Sequence, residues 1–215
     1  MADDMTQTIS VTGNGLVSTE PDRATVQMSI VRRAKELDAA QAGAAKVTAS
    51  VLSLTDKLDI DRNKVDTTGA TVRPDYRWNR EKEEQELRGY IAERQMGVKV
   101  DDLEKLGRLV EGAVAAGVNQ VSAPQLDSSR RASMHREALA LAAKDARANA
   151  RVLAETLGAK LGDPISVSDR SAPPQPPVPQ PRMASMAMES DSAATYNAGD
   201  LTFTASVTVV FELVN

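Results

Sequence analysis

The last stretch of the chain alternates apolar and polar residues without a break, and no other feature restricts the fold as strongly. The apolar positions are Leu201, Phe203, Ala205, Val207, Val209, Phe211 and Leu213, with threonine or serine at most positions between them. A period of two over this length predicts one long strand with a single buried face. Such a strand needs a partner, a cover or a bend, which the rest of the chain has to provide.

Two further strands are predicted near the N-terminus. Residues 8–17 and 24–30 both alternate, and a turn at Pro21 separates them, so we expect them to pair as a hairpin. Gly13 and Gly15 interrupt the first pattern, which indicates either a bulge or a close approach of another backbone segment.

Apolar residues at helical spacing predict three helices. The first spans 36–58, and the second runs from a cap at Asp101 or Asp102 to Gly117. The third begins at a serine cap, Ser128 or Ser129, and runs to 157 with alanine at most of its apolar positions.

The remaining alternating segments complete an order of ββαββαβαββ. Strands are predicted at 65–72, 90–100, 119–126 and 165–167, with an exposed, densely charged hairpin tip at 77–86. Because strands occur in pairs as well as singly, a doubly wound parallel sheet is not indicated. We expect an α+β fold in which long helices pack on one face of a mostly antiparallel sheet.

Most of the chain is predicted to form one domain. Residues 8–215 make up this single domain, and residues 1–7 form a disordered N-terminus. A loop rich in proline and methionine interrupts the domain at 172–199, because its composition lacks core-forming residues.

Composition excludes several classes of function. The chain has no cysteine, so disulfides, iron–sulfur clusters and thiolate zinc sites are ruled out. The formal net charge of −4, with basic and acidic residues interleaved, argues against a nucleic-acid partner. No apolar run is long enough for a transmembrane helix, and residues 1–5 lack the features of an export signal.

No catalytic, cofactor or metal site is predicted. The single histidine, His135, has no nucleophile motif beside it, and one histidine without any cysteine does not predict a zinc or copper site. The glycines at 13 and 15 precede a strand rather than a helix, so they do not form a dinucleotide-binding loop. We therefore expect no enzyme activity, no cofactor and no metal.

One cluster of aromatic and basic residues is a candidate contact site. Tyr76 and Trp78 lie between Arg73 and Arg80. These side chains could stack on a ligand or on a partner chain. The alternative is that a long loop packs them over the sheet.

Several short motifs, in order, resemble the SIMPL-domain (DUF541) family. They are Ile9–Gly15 with Pro21-Asp22, Thr67–Gly69 with Pro74–Tyr76, Gly89-Tyr90, Asp102-Leu103 with Leu106-Gly107, Ala116–Asn119, Glu137-Ala138, Asp145-Ala146, and Leu153-Ala154 closing at Leu157-Gly158. Each motif is short, but together they cover nearly the whole chain.

The resemblance implies an α+β fold, no known enzymatic activity and no catalytic residues. Bacterial members are commonly exported to the periplasm or envelope, are associated with stress tolerance including oxidative stress, and in some cases form ring-like oligomers. We therefore expect a non-catalytic periplasmic or cell-envelope protein that assembles with itself through its strand edges and long helix. It would be cytoplasmic if its gene encodes no leader. The alternative is a binding module for a small or peptidic ligand at the Tyr76–Trp78 loop.

Overall fold

The computed structural model describes residues 7–169 and 199–214. The α-helices are α1 (Leu37–Lys57), α2 (Glu104–Ala116) and α3 (Arg131–Thr156), and a 3-10 turn spans Arg62–Lys64. The strands are β1 (Thr8–Thr19), β2 (Arg23–Ala34), β3 (Val65–Asn79), β4 (Glu84–Val100), β5 (Gln120–Val121), β6 (Gln125–Asp127), β7 (Lys160–Asp169) and β8 (Leu201–Val214). The predicted disordered N-terminus at 1–7 and the loop at 172–199 lie, apart from Gln7 and Gly199, outside the described residues.

The predicted α+β class with mostly antiparallel strand pairing is confirmed, and the strands form two sheets where one was predicted. The element order differs in one place, where the single strand predicted at 119–126 is two short strands, β5 and β6. Pro124 lies between them, and proline cannot donate to a strand ladder. The interruption follows from that missing donor.

The described residues form two compact units. One contains β1, α3, β7 and β8, and the other contains β2 to β5, most of β6, α1 and α2. The sequence analysis expects a single domain over 8–215. That expectation stays a prediction, because two compact units can belong to one domain.

In the first unit, β8 is the central strand of a three-stranded sheet ordered β1-β8-β7. β1 pairs with β8 from Thr8 opposite Glu212 to Thr19 opposite Leu201 without a change of register. The odd-numbered side chains of β8 from Leu201 to Phe211 are buried. The long alternating strand thus has neighbours on both edges and a cover on its apolar face.

The predicted hairpin between β1 and β2 is wrong. β1 pairs with β8, and β2 pairs with β4 and β5. A tight hairpin turn requires residues with positive φ, and none of Glu20, Pro21 and Asp22 has one. Each strand instead pairs with a partner distant in sequence.

The backbone of α3 lies directly against β1. A Cβ atom added at Gly13 would overlap the backbone of Ala142 and Ala146, and one added at Gly15 would overlap the carbonyl oxygen of Ala138. The helix presents a fully buried alanine stripe at this contact: Ala138, Ala142, Ala146, Ala150 and Ala154. Of the two interpretations of these glycines, close backbone approach is correct, because the β1–β8 register shows no bulge.

In the second unit, a five-stranded sheet contains the antiparallel strands β3-β4-β2-β5, with β6 also paired to β2. The even-numbered residues of β2 from Ala24 to Ile30 and of β4 from Met96 to Val100 form one apolar face, which includes Val26 and Val98. This face packs with Val51 of α1 and Leu106 of α2 in a single core.

The hairpin formed by β3 and β4 is much longer than predicted. The strands continue to Asn79 and resume at Glu84, so most of the predicted charged tip at 77–86 is paired strand and the turn is residues 80–83. The strand predicted at 65–72 continues through Pro74, because β3 is an edge strand, where proline is tolerated. Asn79 shapes the turn by accepting hydrogen bonds from the backbone N–H groups of Glu81 (3.0 Å) and Lys82 (3.3 Å).

Candidate interaction surface on the β3–β4 hairpin

The outer part of the β3–β4 hairpin carries all four predicted contact residues. Tyr76 and Trp78 lie in β3, with 54% and 57% of their surfaces exposed, rather than in a loop packed over the sheet. Arg73 lies in β3 and Arg80 opens the turn. Because successive strand residues point to opposite sides, Tyr76 and Trp78 share one side and Arg73 lies on the other. The structure therefore does not bring all four together.

A second strand completes the side that carries the aromatic residues. Leu87 pairs with Tyr76 and Gln85 pairs with Trp78, and paired residues of neighbouring strands point to the same side. Leu87 is 47% exposed. We call Tyr76, Trp78, Gln85 and Leu87 the aromatic side of the hairpin. Sequence analysis missed Leu87, because its position depends on the register between the strands.

The opposite side of the hairpin is charged. It carries Arg73, Asp75 and Arg77 from β3, with Glu86 paired to Arg77 and Glu84 paired to Asn79. We call this the charged side. Several of its charges are partnered within the chain, since the carboxylate of Glu86 lies 3.6 Å from Lys82 and that of Asp75 lies 4.0 Å from Arg33. Exposed pairs of this kind contribute little to stability.

A one-residue bulge marks the point where the hairpin leaves the sheet. Asp75 pairs with Gly89 while Tyr76 pairs with Leu87, so Arg88 is the extra residue. Gly89 has a φ of 149°, and a Cβ atom there would overlap the carbonyl oxygen of Ala34, the last residue of β2. Beyond this point no third strand pairs with β3 or β4 among the residues that the structure describes.

Two open hollows adjoin the hairpin. The larger, of about 840 Å³, is at the tip and is lined by Arg77, Trp78, Asn79, Arg80, Glu81 and Glu86. The smaller, of about 200 Å³, is at the base and is lined by Arg33, Ala34, Asp75, Arg88, Gly89 and Tyr90. Trp78 and Arg80 thus share a hollow, although Tyr76 does not line it.

Single side chains occupy backbone groups on the outward edges of two strands. On the side of β2 that faces away from β4, Asn119 accepts a hydrogen bond from the N–H of Val31. It also donates one to the Val31 carbonyl, and both distances are 2.9 Å. On β1, the carboxylate of Asp145 accepts a hydrogen bond from the N–H of Asn14 at 2.8 Å. Each contact occupies backbone groups that an added strand would otherwise use.

The contact at Val31 also fixes which way the backbone groups of β2 and β4 point. Because the N–H and carbonyl of Val31 point away from β4, those of Arg32 point towards β4 and bond to Ala92, its partner. The backbone groups of Ile91 therefore point towards β3.

The same alternation places the ring nitrogen of Pro74 on the open edge of β3. Arg73 pairs with Ile91, so the N–H of Arg73 points towards β4 and the next residue points outward. A proline at that position interrupts the row of outward donors. The edge of β3 is therefore a poor template for an added strand.

His135 lies half-buried in the second turn of α3, and it lines neither hollow. Within residues 7–169 and 199–214, no group of three or more histidine, aspartate or glutamate side chains is placed to hold a metal ion. Among the helices of these residues, none combines the length and the apolar character that crossing a membrane requires.

A family model matches almost the whole chain. The model is SIMPL, described as a protein of unknown function (DUF541), and it matches residues 9–211. The chain belongs to the SIMPL family. Among the motif residues that resemble the family, Gly13 and Gly15 admit the α3 backbone to β1, and Asn119 bonds to the backbone of Val31 in β2.

Named relatives of this SIMPL protein are similar over nearly their full lengths. The 26 kDa periplasmic immunogenic protein of Brucella melitensis is 30% identical over 210 residues, which cover 95% of this chain and 84% of the relative. The uncharacterized protein YggE of Edwardsiella ictaluri is 27% identical over 208 residues, covering 95% and 86%. The YggE protein of Escherichia coli K12 is 28% identical over 205 residues, covering 95% and 82%.

Proposed function

We propose that this SIMPL protein is a non-catalytic component of the bacterial periplasm or cell envelope that acts by self-assembly. The observation that carries the proposal is the aromatic side of the hairpin, where Tyr76, Trp78 and Leu87 are about half exposed in one chain. Clustered exposed apolar side chains on a soluble surface mark a contact site. The proposed activity is binding, and it needs no reactive side chain.

Self-assembly is tested by measuring mass. Native mass spectrometry and light scattering on the full chain, from low to high micromolar concentration, should show a multiple of 23.0 kDa. A second readout is the emission of Trp78, which is the only tryptophan in the sequence. Its maximum should move to shorter wavelength as assembly covers the ring. A strict monomer throughout this range contradicts the proposal.

The periplasmic location is supported by the name of one relative, the 26 kDa periplasmic immunogenic protein. The experiment is cell fractionation of a strain that expresses the complete natural gene. We expect the protein with periplasmic markers, and recovery with cytoplasmic markers would contradict the proposal. Reading the gene upstream of Ala2 for a basic and apolar leader is a complementary check.

A role in tolerance of oxidative stress is the physiological part of the proposal, and the resemblance to the SIMPL family motivates it. A deletion strain should lose viability in hydrogen peroxide, and the wild-type gene should restore it. A variant that cannot assemble should fail to restore viability if assembly is the active property. Equal survival of the deletion and parent strains would contradict this role.

A second candidate function is binding of a small or peptidic ligand by the hairpin. The hollow at the tip favours it, because Trp78 and Arg80 line the same space of about 840 Å³. Titration of tripeptides with acidic, basic or aromatic side chains should then change Trp78 emission. Calorimetry should show that Trp78→Ala abolishes the binding heat, and the absence of any response would leave self-assembly as the sole proposal.

A further inference from the structure

We propose that two copies of this chain pack the aromatic sides of their hairpins against each other around a two-fold axis, and that the edges of β1, β2 and β3 take no part. This inference rests on the proposed self-assembly and specifies its interface. The contact is face to face, so the two hairpins form the two layers of a small sandwich.

The outer hairpin needs a cover. β2 ends at Ala34, opposite Tyr90, so residues 75–79 and 84–89 form a ribbon of two strands. An isolated two-stranded ribbon is marginally stable in water, and it gains stability when an apolar face is packed against another element. Among the residues that the structure describes, the aromatic side is the face without such packing.

The two sides of the hairpin determine which face is buried. Stacking the aromatic sides removes Tyr76, Trp78 and Leu87 from water. The same stacking leaves both charged sides in solvent, where pairs such as Lys82 with Glu86 already neutralise one another. Burying the charged side instead would desolvate carboxylates and guanidinium groups at a cost.

The charge of the hairpin points to a second copy as the partner. Between Arg73 and Arg88 there are five basic and five acidic residues: Arg73, Arg77, Arg80, Lys82 and Arg88 against Asp75, Glu81, Glu83, Glu84 and Glu86. Anionic lipid and nucleic acid both require a basic excess, which is absent here. A neutral hairpin with one apolar side is complementary to itself, as a two-fold interface requires.

The strand edges argue against assembly by strand addition. Pro74 interrupts the outward donors of β3, Asn119 occupies the backbone of Val31, and Asp145 occupies the N–H of Asn14. Natural sheets use such devices to prevent edge-to-edge pairing. We therefore infer that the contact between faces, rather than the edges of β1, β2 and β3, joins the two copies.

The first experiment compares surface variants of the full chain by native mass spectrometry. Trp78→Ala and Tyr76→Ser should each shift the assembled species towards monomer at the same concentration. Val114→Ala is the matched control, because Val114 is similarly exposed at 55% but lies on α2. Wild-type behaviour of both hairpin variants would overturn the inference.

The second experiment uses cysteine cross-linking, which is clean because the natural sequence has no cysteine. Gln85→Cys places a thiol on the aromatic side and keeps the aromatic residues. Glu84→Cys, at the neighbouring position, places a thiol on the charged side. Under mild oxidation we expect a disulfide-linked dimer from Gln85→Cys. We expect no such dimer from Glu84→Cys. Equal cross-linking of the two variants would contradict face-to-face packing.

The outcomes separate the two proposals. If the wild-type chain is a monomer at every concentration, the proposed self-assembly fails and this interface fails with it. If the wild-type chain assembles but the hairpin variants and the thiol at position 85 behave as their controls do, self-assembly stands and the interface lies elsewhere.

Discussion

The side chain of Asn119 binds the backbone of Val31 as a neighbouring strand would. Its amide oxygen accepts from the Val31 N–H and its amide nitrogen donates to the Val31 carbonyl, at 2.9 Å each. β5 covers β2 at Met28 and Ser29, so Asn119 extends that cover by one pair of bonds. The preceding Gly117 ends α2 with a φ of 106° and accepts a hydrogen bond from Arg32.

Replacing Asn119 should weaken the second unit measurably. Asn119→Ala removes both hydrogen bonds, and we expect it to lower the free energy of unfolding by about 1 kcal/mol, because the site is exposed and water partly replaces them. Asn119→Asp is the matched control, since its carboxylate still accepts from the Val31 N–H but repels the carbonyl. Urea denaturation checks both. Equal stability of Asn119→Ala and the wild type would show that the contact contributes nothing.

Asp145 should protect one amide of β1 from solvent. Its carboxylate accepts from the N–H of Asn14 at 2.8 Å on the edge of the sheet. We expect Asp145→Ala to accelerate hydrogen exchange at Asn14 while leaving amides bonded to β8 unchanged. Asp145→Asn retains an acceptor oxygen and should exchange more slowly than the alanine variant. NMR-detected exchange gives the comparison, and unchanged exchange in Asp145→Ala would argue against edge protection.

The sequence predicts elements better than it predicts their partners. The period-two pattern from Leu201 to Leu213 identifies β8, because one face must be buried. The same kind of pattern in β1 and β2 carries no information on pairing, and the predicted hairpin between them is wrong. β3 is longer than expected because proline ends an interior strand but is accepted at a sheet edge such as the one Pro74 occupies.

The candidate surface was predictable only in part. Tyr76 and Trp78 stand out in a chain with three tyrosines and one tryptophan. Leu87 joins them only through the register of β3 and β4, which a bulge at Arg88 shifts by one residue. No local pattern encodes that shift, since it depends on the fit of Gly89 against Ala34.

The pKa of Asp56 should respond to Arg62. The guanidinium of Arg62 donates two hydrogen bonds to the Asp56 carboxylate, at 2.8 and 2.5 Å, and these bonds lower the pKa of Asp56 below its usual value of 3.8. A lowered folded-state pKa contributes stability above the unfolded-state pKa, and that stability is lost as pH falls through the folded-state value. The loss therefore belongs below about pH 4.

An NMR titration of the Asp56 carboxyl group tests this assignment. Arg62→Gln should raise the pKa of Asp56 towards 3.8, and Arg62→Lys should give an intermediate value because it keeps the charge without the paired donors. The same pKa in all three proteins would exclude Arg62 as the cause.

Two glycines should respond in opposite directions to the same substitution, because the space around them differs. Gly13→Ala puts a methyl group into the backbone of α3 at Ala142 and Ala146, and neither backbone can move without separating the helix from the sheet. We expect a loss of about 3 kcal/mol in the free energy of unfolding, near the upper end for overpacked cores.

Gly107→Ala adds its methyl group where no atom lies within 4 Å, inside α2. There the loss of chain entropy in the unfolded state should stabilise the protein by about 0.5 kcal/mol. Thermal denaturation of both variants checks the sign of each effect. Destabilisation by Gly107→Ala comparable to that of Gly13→Ala would mean that close packing against the helix is not what requires glycine in β1.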